Sequence, residues 1–270
     1  MPLRRFVVCE RIVVVVGDKF ADFTVGKDVI TLSQLKGMLC LPSRLLAVQE
    51  QIVIVPGQGL GDKDILAVEK QASVSECRAM FDLSFWYRSG RRASQKHSHK
   101  HLPQNTLISE PVQSGDDSYE LSLLIDENCE LMSDHQTGQH VQGMILFEAA
   151  RQTFLAVTET FYLPQNETGY YFVINQMSAN YNRFAFPIQA RIHYRICTKD
   201  ITKTNRMSFS AEITVVQCNQ VAATFHTDFT VFENSRISSM EGKLASQSLS
   251  GFISEIAKER QQRVEYLTAA

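Results

Sequence analysis

The apolar and polar positions divide the chain into stretches of different period. Up to about residue 88 the pattern is blocky: two continuous apolar runs, Ile12 to Val16 and Ile52 to Val55, each lead into a glycine-containing loop and then a helix-like segment, near Thr31 to Leu39 and near Asp64 to Met80. Strands that are apolar on both faces suit a buried parallel sheet, so this stretch predicts a small α/β unit. Further on the period is two. Ala190, Ile192, Tyr194 and Ile196 alternate with polar residues, as do Met207, Phe209, Ala211, Ile213 and Val215, and again Val221, Ala223, Phe225, Thr227, Phe229 and Val231. With strand-like segments at Asn105 to Val112, Tyr119 to Ile125 and Tyr170 to Arg183, these predict an antiparallel sheet with one dry face. Cys218-Asn219-Gln220 is short enough for a hairpin, and Thr198 to Arg206 reads as a polar loop. Beyond Glu233 a Ser-rich link leads to a terminal packing helix over Phe252 to Leu267, with Phe252, Ile256, Arg260 and Val264 along one stripe.

Between these patterns lies a helix that is apolar nearly all round. From Gly143 it runs through Met144, Ile145, Leu146, Phe147, Ala149, Ala150, Phe154, Leu155, Ala156 and Val157 to Phe161, leaving no continuous polar face. Such a helix is buried on most sides. Glu148 and Arg151 sit in its first turns, and an ionised side chain removed from water needs a partner. The two are either a mutual i,i+3 pair or parts of a site.

Composition narrows the classes. The chain has 270 residues, 44% hydrophobic and 21% charged, with a formal net charge of -2, which gives no basic excess for neutralising nucleic-acid phosphates. Cysteines at 9, 40, 77, 129, 197 and 218 show no CxxC spacing and are expected as buried reduced thiols. The start, MPLRRFVVCERIVVVVGDK, is interrupted by Glu10 and Arg11, and no segment approaches the ~20 apolar residues of a membrane span, so a cytoplasmic protein is expected. The basic, His-rich segment Ser89 to His101 reads as a solvated connection. His97, His99 and His101 lack the Cys or carboxylate that a metal site would add, and no metal or cofactor is expected. The loop Pro56-Gly57-Gln58-Gly59-Leu60-Gly61-Asp62 lacks the spacing of a dinucleotide or P-loop cradle and reads as a turn. His193 and His226 read as sheet-face residues.

Two motifs carry a resemblance. HKHLPQNTLIS supplies His99, Lys100, Asn105 and Leu107, and DHQTGQHVQGMILFEAARQ supplies Asp134, His135, His140, Gly143, Met144, Glu148, Arg151 and Gln152. In this order they resemble the A-factor biosynthesis (AfsA-type) hotdog family, over roughly Gln95 to Glu233. A more distant similarity runs to hydroxyacyl-carrier-protein dehydratases, from which the spacing of His135 to Gly143 departs by one residue. The resemblance implies a hotdog domain over 102–235, a long antiparallel sheet around a central helix; the residue pattern adds the α/β unit (1–88), a linker with the start of the motif (89–101) and a C-terminal link and helix (236–270), so the chain as a whole is expected to be α+β. Family members often hold two hotdog repeats. This chain has one copy of each motif, so a homodimer with its site at the subunit boundary is expected.

The family implies transfer of a β-ketoacyl group from acyl carrier protein, or from CoA, to a hydroxyl of a phosphorylated small-molecule acceptor such as dihydroxyacetone phosphate. The helix start at Gly143 would polarise the thioester carbonyl. His135 or Glu148 would be the base, and Arg151 with Lys100 would hold the phosphate. His99, His140, Gln152 and Asn105 complete the implied site. No nucleophile-elbow serine is present and Cys129 is weakly placed, which favours direct attack by a bound alcohol. The other readings are a hotdog thioesterase or dehydratase, favoured by His135 and Glu148, and a non-catalytic acyl-binding protein.

Overall fold

The computed structural model describes residues 11–46, 51–134, 138–164, 169–203 and 205–269. The first apolar run forms β1 (Arg11–Val16), followed by the short α1 (Ala21–Thr24), β2 (Val29–Thr31) and α2 (Leu32–Cys40). Thr31 starts α2 with a capping box, its hydroxyl accepting from Gln34 N–H while the Gln34 side chain accepts from Thr31 N–H. The second run forms β3 (Ile52–Pro56), then α3 (Asp62–Val74) and the short β4 (Phe81–Asp82). All pairings are parallel, in the order β2-β1-β3-β4. β2 and β4 are too short to show a period. The helix expected over Asp64 to Met80 stops at Val74, where Ser75 turns extended, and Arg78–Met80 is a separate 3-10 turn.

The segment 89–101 is not a solvated connection. It contains α4 (Gln95–Ser98), and Arg92, Ala93 and Ser98 are buried. β5 (Val112–Gly115) and β6 (Ser118–Ser122) follow, then α5 (Gly143–Phe161), as the apolar pattern predicts. The strand expected over Asn105 to Val112 is broken into a 3-10 turn at Pro103–Asn105 and isolated bridges, including Ile108 to Leu123. β7 (Tyr170–Tyr181), β8 (Arg191–Lys203), β9 (Arg206–Gln217) and β10 (Gln220–Glu233) complete a sheet in the order β5-β6-β8-β9-β10-β7. Cys218 and Asn219, at φ 51° and 60°, make the two-residue β9–β10 turn. Along β9 the burial alternates strictly, and α5 is buried from Ala149 through Thr158 except at Arg151. Phe147 meets Phe225 edge-on and Phe161 packs on Tyr119, so the dry face of the sheet covers the helix. This is a hotdog fold.

By contacts the chain separates into two compact units. The first contains the parallel sheet, α5 and the strand segments 176–198 and 210–227. In it the loop after β3 is joined to the segment after β6. The N–H of Gly59 donates to Ile125 O (2.9 Å), and the buried Gln58 amide donates to Leu123 O (2.9 Å) and accepts from Ile125 N–H (2.8 Å).

The second unit comprises 165–175, 199–209 and 228–270. Within it Phe209 stacks on Phe229, and Asn175 bonds to Thr230. Two expectations fail here. Thr198 to Arg206 is not a loop: β8 continues to Lys203, and its last residues are exposed on both faces, leaving no alternation to read. The Ser-rich link is part of α6 (Asn234–Ala269), because serine is only mildly unfavourable inside a helix. Phe252, Ile256 and Arg260 on the expected packing stripe are exposed. Of the described cysteines, all free, only Cys77 and Cys129 are buried; Cys40 at the end of α2, Cys197 on β8 and Cys218 in the β9–β10 turn are exposed, since apolar neighbours in sequence do not decide which way a side chain at a helix end, on a strand or in a turn faces.

Candidate active site

α5 begins at Gly143 after Gln142, which makes no side-chain cap. Its first-turn N–H groups at Gly143 and Met144 have no backbone acceptor among the described residues. Tyr181 of β7 lies over this end and donates its hydroxyl to Gly143 O (2.9 Å). A Cβ on Gly143 would stand 3.1 Å from the Tyr181 ring, tight enough to displace it.

Farther along α5, the charges converge. Arg151 grips Glu148 with two nitrogens, Nε to Oε2 at 2.7 Å and Nη2 to Oε1 at 2.8 Å. Gln152 Nε2 (3.0 Å) and Lys100 Nζ (3.1 Å) also reach Glu148 Oε1. Burial works to raise the Glu148 pKa, but the bonds from Arg151 and Gln152 and the charges of Arg151 and Lys100 outweigh it, and the carboxyl is held below the ordinary range. Burial likewise works to lower the Lys100 pKa, and its bonds and charges to Glu130 and Glu148 carry it upward instead. Glu148 is thus an ionised, saturated acceptor. The i,i+3 pair and the cluster of motif residues are both present, in one network.

Gln152 is fully buried and does two things. It accepts from Leu107 N–H (2.7 Å) and donates to Asn105 O (2.8 Å), clamping the strap of the first motif onto the helix of the second. Asn105 Oδ1 accepts from Glu130 N–H (2.9 Å), which sets the backbone of the residue that shares Lys100. His99, at φ 54°, meets Glu159 at 3.0 Å, away from Glu148. His140 packs on the Phe184 ring, its centroid 4.8 Å away. His135 lies outside the described residues. His193 and His226 are on β8 and β10, facing Glu120 and Glu212.

Residues that follow β1 brace Met132 and Gly138, in the stretch before α5. Lys19 Nζ donates to Met132 O (2.9 Å), Phe23 N–H donates to Gly138 O (3.2 Å), and Phe23 stacks on Phe186. Glu130, Glu159, Tyr181 and this brace did not emerge from the sequence. Glu159 had a signal, since it lies three turns past Glu148 on the same helix face; the others come from segments distant in the chain. Burial pushes the Cys129 thiol up, so it is no ready nucleophile. No group of three or more potential metal ligands occurs among the described residues, and no described helix is long and apolar enough to cross a membrane.

A family model described as the A-factor biosynthesis hotdog domain (AfsA) matches residues 86–233. No curated protein matches the chain. Among solved structures, a conserved protein from Pseudomonas aeruginosa is 21% identical over 46% of this chain and 87% of its own, with a TM-score of 0.33. A protein of unknown function from the same organism, described as a probable thioesterase, is 12% identical over 52% of this chain and 92% of its own, with a TM-score of 0.37. A thioesterase from Haemophilus influenzae is 14% identical over 57% and 92%, with a TM-score of 0.35.

Proposed function

The chain belongs to the A-factor biosynthesis hotdog family, and on that premise we propose that it transfers a β-ketoacyl group from acyl carrier protein or CoA to a hydroxyl of a phosphorylated triose such as dihydroxyacetone phosphate. The observation that carries the reading is the convergence of Arg151 and Lys100 on Glu148, in the same helix whose uncapped start lies about one to two turns away. A thioesterase needs no such pair of cations in its site, whereas a phosphorylated acceptor does.

In the proposed reaction the acceptor oxygen attacks the thioester carbonyl. A C–O bond forms, the C–S bond breaks, and the hydroxyl proton passes through a base to the departing thiol. The N–H groups at Gly143 and Met144 stabilise the oxyanion. Glu148, ionised and saturated, is poorly suited to take a proton; its part is to hold the two cations side by side, and the base falls to His135. Arg151 Nη1 has no protein acceptor among the described residues and is the nitrogen offered to the phosphate. Tyr181 and Gln142 border the carbonyl end; Asn105, Gln152, His99 and His140 shape the surrounding walls.

The proposal includes a homodimer. β7 ends the sheet order, is twelve residues long, and exposes Tyr171, Ile174 and Tyr181. So long an edge, with no strand on its outer side among the described residues, is a template for a second strand, and a second copy laid along it would bring a partner toward Tyr181 at the start of α5.

Incubation with β-ketoacyl carrier protein and dihydroxyacetone phosphate, read by mass spectrometry, tests the activity. The expected product is the acyl ester, formed faster than free acid. Unphosphorylated dihydroxyacetone should be a poor acceptor, and Arg151→Ala, once shown to fold, should chiefly raise the acceptor KM. Free acid as the only product would establish the hydrolase instead. Acyl binding without turnover would establish the binding protein. A monomeric mass with full activity would remove the dimer.

A further inference from the structure

Away from Glu148, a cavity of about 410 Å³ opens where the loop after β3 meets the segment after β6. Its volume lies at the lower end of the ~300–1,000 Å³ of small-molecule sites, enough for one medium-length chain and too small for a phospholipid or a coenzyme. The wall is largely apolar, from Leu60, Ile65, Leu66, Trp86, Tyr87 and Ile125. Leu66 and Tyr87 remain 60% and 54% exposed, an apolar rim without cover among the described residues. The cavity also lies beyond the carboxyl end of a parallel strand, where open α/β sheets seat their ligands.

The charges select the ligand's head group. Asp62 and Arg92 both line the cavity but neutralise each other at 3.0 Å, and Arg92 is further committed to the carbonyls of Thr106 and Leu124. That leaves Arg91, which is exposed and whose guanidinium has no carboxylate partner among the described residues. The α3 start that faces the cavity carries Asp62 and Asp64, whose negative charges disfavour a further anion there, so it adds no anion site of its own. A phosphate, with two charges and several acceptors, would find one cation and an apolar wall. A single carboxylate on an aliphatic body matches both.

We propose that this cavity is a binding site for a medium-chain monocarboxylate, its chain against Leu60, Ile65 and Trp86 and its carboxylate at Arg91. The site is separate from the acyl-transfer reading and stands or falls without it. It shares one piece of chain with the candidate active site, because Arg92 holds the carbonyl of Thr106, between the two strap residues that Gln152 clamps.

Trp86 is the chain's single tryptophan and lines the cavity, so its emission reports occupancy directly. Sodium decanoate titrated into the full chain, below its micelle concentration, should change that emission saturably, with a stoichiometry near one by calorimetry. Acetate should produce no change, for want of a chain, and decylammonium should bind more weakly than decanoate. Arg91→Gln, an exposed substitution, should weaken decanoate by about three- to fivefold, the size of a screened surface charge contact, and leave decanol unaffected. Arg151→Ala should leave decanoate binding as it is. Non-saturating adsorption, equal binding of decanoate and decylammonium, or wild-type affinity in Arg91→Gln would overturn the proposal. So would loss of binding in Arg151→Ala, which would move the ligand to the candidate active site.

Discussion

The candidate active site and the seam between the parallel sheet and the hotdog use the same device and surround it differently. In each, a buried glutamine amide accepts from one backbone N–H and donates to a nearby carbonyl: Gln152 to Leu107 and Asn105, Gln58 to Ile125 and Leu123. Around Gln152 stand Glu148, Arg151 and Lys100, a charged network. Around Gln58 stand glycines, with Gly17 and Gly59 in backbone contact and Gly59 N–H bonded across the seam. The seam therefore depends chiefly on close approach and neutral bonds, which salt barely touches, with the half-buried Glu127 as the titrating group beside it. The site depends on ionised groups, which can also meet a charged ligand.

The sharpest way to break the seam is Gly59→Ala. Gly59 has φ +89°, and an added Cβ would stand 2.8 Å from both Cα and N of Gly17, backbone that cannot swing aside. Strain and clash together should cost about 3–5 kcal/mol. Gly26→Ala provides the comparison, with φ +69° but nothing within 4 Å of the new Cβ; backbone strain alone should cost about 1–2 kcal/mol. Urea unfolding of both variants measures the difference. Equal losses would mean that the seam is not held by close approach.

Next come the two glutamines. Gln152→Ala and Gln58→Ala each leave a buried N–H and a carbonyl without partners, at a cost of about 2–4 kcal/mol. The loss should be the same in low and high salt for Gln58→Ala, while Gln152→Ala should also loosen Glu148 and show some salt dependence in unfolding midpoints. These two residues also mark what the sequence made legible. Gln152 stood in a motif four residues after Glu148, so it was visible as a site residue before its bonds were known. Gln58 sat in a glycine loop that read only as a turn, because its partners are Leu123 and Ile125, far along the chain. The same reason hid Glu130, Tyr181 and the Lys19–Met132 brace. Apolar pattern revealed α5, which is buried on most sides, and β9 and β10, which have one dry face; it missed the end of β8, which has none, and the first half of α6, whose serines looked like a link.

Within the site, Arg151→Ala should be more damaging than Lys100→Met. Arg151 gives Glu148 two bonds and is about a quarter exposed, whereas Lys100 divides itself between Glu148 and the more exposed Glu130. Discounted from the ~3–5 kcal/mol of a fully buried broken pair, the losses should be about 1–3 kcal/mol and below about 1 kcal/mol. Thermal unfolding at two salt concentrations checks the order. A larger loss for Lys100→Met would make Glu130, and not Glu148, the centre of the network.

The smallest effect separates the two regions most cleanly, because it has opposite signs in them. Glu148 has a lowered pKa, since its bonds and the nearby cations outweigh burial. Glu127, at the seam, has a raised one: burial raises it, the bond from Lys19 N–H opposes, and the charges of Asp18 and Asp64 add to the rise. A depressed carboxyl contributes stability that is present above its unfolded pKa, ~4.3, and is lost as pH falls through the folded value. A raised one contributes stability that is fully present below ~4.3 and is lost as pH rises through the folded value. Stability of the wild type relative to Glu148→Gln should therefore shrink as pH drops below about 4.3. Relative to Glu127→Gln it should shrink as pH climbs above about 4.3 and then level off. Denaturant unfolding from pH 3 to 7 measures both differences. Two slopes of the same sign would mean that Glu148 is not held ionised by Arg151 and Lys100, and the charged network that distinguishes the site from the seam would have to be given up.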